Sequence, residues 1–226
     1  MSLPNVHLSN HPSLKAKLSQ LRSHSTTSRD VKTLVHDISL ILACEALAAN
    51  LSSHDGPKVD KTPLGFEYTT STVGPQTICI VPILRSGLGM VDAIQTILPL
   101  AVPVHHLGMY REPATLDAVE YYNNLPHHIP GSNDTAASSL AIVVDPIIAT
   151  GGTCVAAIQT LREWGAKKIL VLSILGAEEG VRKAAEEWPE GTELWIAGLE
   201  SKLTREGMLE PGLGDIGDRL FLTVGR

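Results

Sequence analysis

The sequence predicts an α/β fold, a mostly parallel β-sheet flanked by helices, and three observations carry that reading. Apolar runs at 77–84, 140–144 and 169–175 are nearly continuous rather than alternating, as in strands buried on both faces of a sheet. Segments of helical period separate them. Glycines, arginines and acids gather just after the runs end, where an open parallel sheet binds its ligands. The 226 residues suffice for a single domain, 1–226, and no internal repeat divides them.

Residues 1–13 read as an irregular arm. Ser28 and Asp30 suit a helix start, and Val31, Leu34, Val35, Ile38 and Leu42 recur at helical spacing, so a helix is expected to about residue 51. The stretch 52–76 is rich in breakers but has strand character at 66–72, which suggests a protruding β-hairpin arm. A strand at 77–84, a helix at 89–98 and a strand at 102–109 follow. The long polar segment 121–139 reads as a loop, with 123–139 a candidate lid. Strand 140–144 then runs through a short turn into a helix at 153–164, where Cys154, Ile158 and Leu161 share a face and Gly165 ends the element. A strand at 169–175, a helix at 179–188 and a strand at 193–197 complete the alternation.

Composition excludes several functions. A net charge of −6 gives no footprint for nucleic acid, and 4% aromatic residues make no stacking platform for single strands. No apolar run is long enough to span a bilayer, and the first twenty residues lack the apolar core of a signal peptide, so a cytoplasmic protein with no membrane partner is expected. Cys44, Cys79 and Cys154 are odd in number, widely spaced and set in apolar surroundings, which reads as buried, reduced thiols. Cys154, beside the turn, is the one candidate for a response to oxidants. The nine histidines do not form a metal pattern: His7 and His11 lie in the arm, and His105-His106 and His127-His128 are adjacent pairs. There is no Walker lysine after the glycines, no G-x-G-x-x-G and no Ser-His-Asp elbow. The acidic run 178–193 reads as a solvated helix face.

Four places after strands remain. Arg85, in Leu84-Arg85-Ser86-Gly87, stands where a guanidinium can grip an anion. Arg111, in Tyr110-Arg111-Glu112, has the same chance, and each alone is equally well a surface salt bridge. The third is the turn Asp145, Pro146, Ile147, Ile148, Ala149, Thr150, Gly151, Gly152 and Thr153. Its glycines admit close approach of an anion to unpaired helix N–H groups, and Asp145 can accept from two ribose hydroxyls or simply cap the turn. The fourth is the Gly- and Asp-rich segment 210–219, a rigid irregular backbone or an ordinary C-terminal loop. Together they describe a pocket for a substrate with two separate phosphate groups and a ribose.

At these positions the sequence resembles the uracil phosphoribosyltransferases of the type I phosphoribosyltransferase family. VDPIIATGGT (144–153) is similar to their loop for phosphoribosyl diphosphate, written Asp-Pro-Met-Leu-Ala-Thr-Gly, and Asp145-Pro146 matches the uracil branch rather than relatives with two acids. VPILRSGLGM (81–90), GMYREPATLDAVEYYNNLP (108–126), PGLGDIGDRLF (211–221) and the N-terminal 11–30 extend the likeness over nearly the whole chain. The resemblance implies the type I phosphoribosyltransferase fold and pyrimidine salvage: uracil and 5-phosphoribosyl 1-diphosphate give UMP and diphosphate, with Mg²⁺ carried on the substrate and no protein metal site. It further implies that Arg85 and Arg111 bind diphosphate, that Asp145 holds the ribose hydroxyls, and that the rest of the turn to Thr153 holds the 5′-phosphate. The backbones of Leu209, Gly214 and Ile216, with Asp215, would read uracil in a C-terminal segment spanning 198–226, and Asp215 would also stand at the reacting centre. Homodimers or homotetramers, and GTP as an effector of some members, belong to the same expectation. Departures from the pattern are Glu120 and Glu178 for Pro, Glu200 for Asp, Met208 for Tyr, Leu209 for Ile and Leu222 for Gly. A weakly catalytic nucleotide-binding homologue, or an enzyme for another base, are the alternatives.

Overall fold

The computed structural model describes residues 3–112, 118–126 and 138–223, with the Arg111 side chain excepted. The chain starts with a strand, β1 (Val6–Leu8), and a helix, α1 (Pro12–Arg22). α2 (Ser28–Asn50) follows, capped by Thr27, whose hydroxyl oxygen accepts from the Asp30 N–H at 3.3 Å and whose hydroxyl donates to the Asp30 carboxylate at 2.7 Å. Next come β2 (Ser52–Lys61), β3 (Glu67–Gly74), β4 (Ile78–Leu84), α3 (Leu88–Ile97), β5 (Leu107–Arg111) and β6 (Ala118–Asn123). The second half runs β7 (Leu140–Val144), β8 (Ile147–Ile148), α4 (Gly152–Trp164), β9 (Ile169–Ala177), α5 (Glu178–Glu187) and β10 (Thr192–Glu200). A short hairpin, β11 (Lys202–Leu203) and β12 (Leu209–Glu210), and a last helix, α6 (Ile216–Phe221), close it.

The main sheet has the order β1-β10-β9-β7-β4-β5-β6, with β8 also on β9. Every pair is parallel except β5 with β6. All residues of β7 and β9 are buried, as a sheet covered on both faces requires. Alternate strand residues serve two cores. Ile80, Ile142 and Leu172 pack with α1, α2, α3 and α6, while Val81, Val143 and Val171 pack with α4 and α5. The β2–β3 hairpin is the predicted arm, and it exposes Val59, Leu64, Phe66 and Tyr68.

Four expectations need correction. Residues 1–13 are not irregular throughout: Val6–Leu8 extends the sheet beside β10, and Pro12 opens α1 at a position where a missing N–H is harmless. The strand expected at 102–109 forms only from Leu107: the segment before it meets β4 at one bridge, Val104 with Ile80, and the next β4 residue turned toward it, Pro82, has no N–H to continue the ladder. The loop expected at 121–139 begins instead as the end of β6; the lid reading falls mainly on residues outside those described. Cys44 is exposed, because it lies on the outer face of α2, whereas Cys79 and Cys154 are buried.

Candidate functional site

Strand order reverses between β4 and β7: β5 lies on one side of this pair, β9 and β10 on the other. Such a switch point opens a crevice at the carboxyl ends of the strands. Here the crevice is a cleft of about 380 Å³. Arg85 enters it directly after β4, past a cis Leu84–Arg85 peptide, and Asp145 directly after β7.

Asp145 is only 8% exposed. Its Oδ1 accepts from the Ser86 hydroxyl and from the Ile147 N–H, each at 3.5 Å, which joins the ends of β4 and β7. Ile147, Ile148, Ala149, Thr150, Gly151 and Thr153 line the cleft as well. Pro146 and Gly152 are not among the lining residues. The Pro146 carbonyl instead accepts from Ile174 and Leu175 at 3.1 and 3.0 Å, which staples the turn to β9. Gly151 caps α4 with φ of 82°, and the first helical N–H to find its acceptor, that of Val155, takes the Gly151 carbonyl at 2.9 Å. The amides before Val155 are those a helix leaves for an anion.

Gly180 shapes this turn from outside. A Cβ there would lie 2.0 Å from the Ala149 carbonyl oxygen and 2.8 Å from the Gly151 nitrogen. Burial, and then the Asp145 carboxylate, pushes the Cys154 thiol far up, so the oxidant-responsive reading of Cys154 does not hold: the thiolate it needs is disfavoured.

The far wall is the C-terminal segment. Met208, Leu209, Leu213, Gly214, Asp215 and Ile216 line the cleft opposite the turn. Read from sequence as irregular, the segment contains α6, capped by Asp215, whose carboxylate accepts from the Asp218 N–H at 3.0 Å. Gly212 and Gly214 have φ of 59° and 79°. Tyr110 and Tyr121 close one side, their rings 6.3 Å apart. Arg111 ends β5, next to Tyr110; its side chain lies outside the described residues.

Thus the cleft brings together Arg85, Asp145, the turn and the C-terminal segment. Sequence reasoning missed Ser86, Tyr121 and Gly180. The adjacency of Ser86 to Arg85 was the only signal for it, and Gly180 sat unremarked in the acidic run. Among the described residues, no three His, Cys, Asp or Glu side chains cluster as metal ligands. No helix among them is long and apolar enough to cross a membrane.

A sequence model of the family described as uracil phosphoribosyltransferase matches residues 8–223. The chain is 39% identical over 221 residues to a uracil phosphoribosyltransferase of Finegoldia magna, covering 98% of this chain and all of that one. It is likewise 39% identical over 222 residues to one of Staphylococcus aureus, with the same coverage. Among solved structures, the AQ2163 protein of Aquifex aeolicus superposes with a TM-score of 0.83 at 27% identity, over 96% of this chain and 98% of that one. An adenine phosphoribosyl transferase from Trypanosoma brucei superposes at 0.53 with 18% identity, over 92% and 90% of the two chains, which speaks for the fold alone. The chain belongs to the uracil phosphoribosyltransferase family.

Proposed function

We propose that this cleft transfers the phosphoribosyl group of 5-phosphoribosyl 1-diphosphate to uracil, giving UMP and diphosphate in pyrimidine salvage. The observation that carries the reading is the meeting, at one switch point, of an anion-suited helix start, a carboxylate and an arginine with a glycine-rich backbone wall opposite. The amides at the start of α4, with Thr150 and Thr153, take the 5′-phosphate; Asp145 accepts from the ribose hydroxyls. Arg85 and Arg111 hold the diphosphate. As uracil N1 bonds to the anomeric carbon, the bond to diphosphate breaks, the electron pair leaves with diphosphate and the N1 proton is lost to solvent. The transition state resembles an oxocarbenium ion, so no covalent nucleophile is needed. Placement in line and charge stabilisation supply the rate. Asp215 faces the ribosyl ring and stabilises its developing positive charge.

Uracil presents an N3–H donor between two carbonyl acceptors, and backbone groups of Leu209, Gly214 and Ile216 complement that pattern without polar side chains. The donor set also suits Mg²⁺ on the diphosphate rather than in a protein cage: among the described residues the lining carboxylates are Asp145 and Asp215, and Mg²⁺ commonly takes one or two carboxylates besides phosphate oxygens and water. Bound that way, Mg²⁺ would supply charge neutralisation at the leaving group.

The exposed apolar residues of the β2–β3 arm support a homodimer or homotetramer built through that arm. Unpaired cysteines suit a reducing, cytoplasmic location. GTP as an effector rests on the family likeness and is tested by adding it to the assay below. The central test mixes the protein with phosphoribosyl diphosphate, Mg²⁺ and radiolabelled uracil, cytosine or purines. UMP as the sole nucleotide is expected. Nucleotide from another base, or UMP binding without turnover, would overturn the reading.

A further inference from the structure

Apart from Asp215, the base-reading wall described above is made of glycines and apolar residues, and two guanidiniums reach it from behind. Arg22, the last residue of α1, donates from Nη1 to the Gly212 carbonyl at 2.8 Å and from Nη2 to the Glu200 carboxylate. Arg219, in α6, donates to the Leu213 carbonyl at 2.8 Å and to the carbonyls of Leu21 and Ser23 at 2.6 and 2.9 Å. Glu200 is 8% exposed and ends β10, where its backbone pairs with Ala177 of β9, so it stands on the rigid sheet. In a trans peptide the carbonyl and the next N–H point in opposite directions. With the Gly212 and Leu213 carbonyls drawn toward the arginines, the N–H groups of Leu213 and Gly214 are turned away from them, and both residues line the cleft.

We propose that Arg22, held by Glu200, is a positioning residue that sets the peptide planes of the base-reading loop and thereby the enzyme's selectivity for uracil. The inference rests on the reading that 209–216 receive the base. One planar fork spans a carboxylate fixed to the sheet and a carbonyl of the loop; a lysine, a point charge on a flexible stem, cannot span both in one geometry. Glu200 stands where the family usually has aspartate, and Arg22 reaches it from the end of α1.

The test compares R22K, the charge-free pair R22M/E200L and G214A in steady-state kinetics with each substrate varied in turn. R22M/E200L leaves no buried carboxylate unpaired, so it keeps the proposal testable should R22K fail to fold. The expected result for the Arg22 variants is a KM for uracil raised about tenfold, the effect of one lost positioning contact. Their KM for phosphoribosyl diphosphate should stay within about twofold, and their preference for uracil over cytosine should fall. A merely structural role would move both KM values together, or melting temperature alone. G214A places a side chain at a φ of 79° in the loop itself and should raise the uracil KM at least as much. If G214A does so while the folded Arg22 variants keep the parental uracil KM, the positioning role is overturned and the base site stands. If G214A also leaves the uracil KM unchanged, the base site is misassigned and the positioning role falls with it.

Discussion

The two halves of the cleft are built by different means. The phosphate turn is contiguous: β7, Asp145, the turn and α4 follow one another in the chain, and the turn is stapled to β9, the strand next to β7. The wall proposed to read the base lies past β10, the last strand in sequence of the main sheet, and starts on the short β11–β12 hairpin instead. Its Gly212 carbonyl is taken by Arg22, 190 positions away, and its Leu213 carbonyl by Arg219, which also takes the carbonyls of Leu21 and Ser23 at the end of α1, 198 and 196 positions away. A half held by its own neighbours answers to local packing, whereas a half held by distant donors answers to side chains that never touch the substrate.

The largest effect is expected where the contiguous half is packed most tightly. G180A puts a methyl group 2.0 Å from the Ala149 carbonyl oxygen, and backbone is what must shift. We expect a loss of about 1–3 kcal/mol of stability in urea unfolding. Affinity for phosphoribosyl diphosphate, read by calorimetry, should fall about a hundredfold, equivalent to about 2.7 kcal/mol. Parental affinity in this variant would mean that the turn does not depend on α5 for its shape.

Asp215 tests the distant half, because its carboxylate both caps α6 and faces the cleft. Asparagine still caps but carries no charge. D215N should keep its melting temperature and UMP affinity while kcat falls about a hundredfold. D215A should lose, in addition, about 1 kcal/mol of stability. Parental turnover in D215N would remove the charge from the mechanism and leave Asp215 a cap alone.

The smallest effect lies at the end of α6. Leu222 has a φ of 53° and is 74% exposed, so the residue contributes little packing to a conformation that glycine adopts freely. L222G should stabilise by about 0.5–1 kcal/mol, raising the melting temperature by roughly 2 °C. Its uracil KM should stay at the parental value.

The same contrast governs how much could be read from sequence. The strands 77–84 and 169–175, and the turn after Val144, were legible because each is a local pattern. Asp145 was legible as an acid at a strand end. β1 was not, since three residues carry no periodicity and their partner strand lies near the other end of the chain. Gly180 looked like part of a solvated acidic face because the atoms that require it belong to Ala149 and Gly151. Arg22 and Arg219 gave no signal at all: the acceptors of Arg219 and one of those of Arg22 are backbone carbonyls, which every residue has, and the other partner of Arg22, Glu200, lies 178 positions away. Of the departures from the family pattern, Leu222 has a backbone suited to glycine, and Glu200 pairs with Arg22. Met208 lines the cleft beside Leu209. Glu120 accepts from the Thr160 hydroxyl at 3.4 Å and Glu178 opens α5; nothing in the structure explains why either stands where proline is usual.

The ties of Arg219 to Leu21 and Ser23 carry a consequence for the order of assembly. During synthesis the end of α1 emerges early, with carbonyls that a helix terminus leaves open to water. The guanidinium that takes them up is made 198 positions after Leu21 and 196 after Ser23. The half of the cleft built around the turn has all its parts once α5 has been made, while the half opposite cannot close until α6 has followed. Of the two halves of the cleft, the one proposed to tell uracil from other bases is therefore the later to exist.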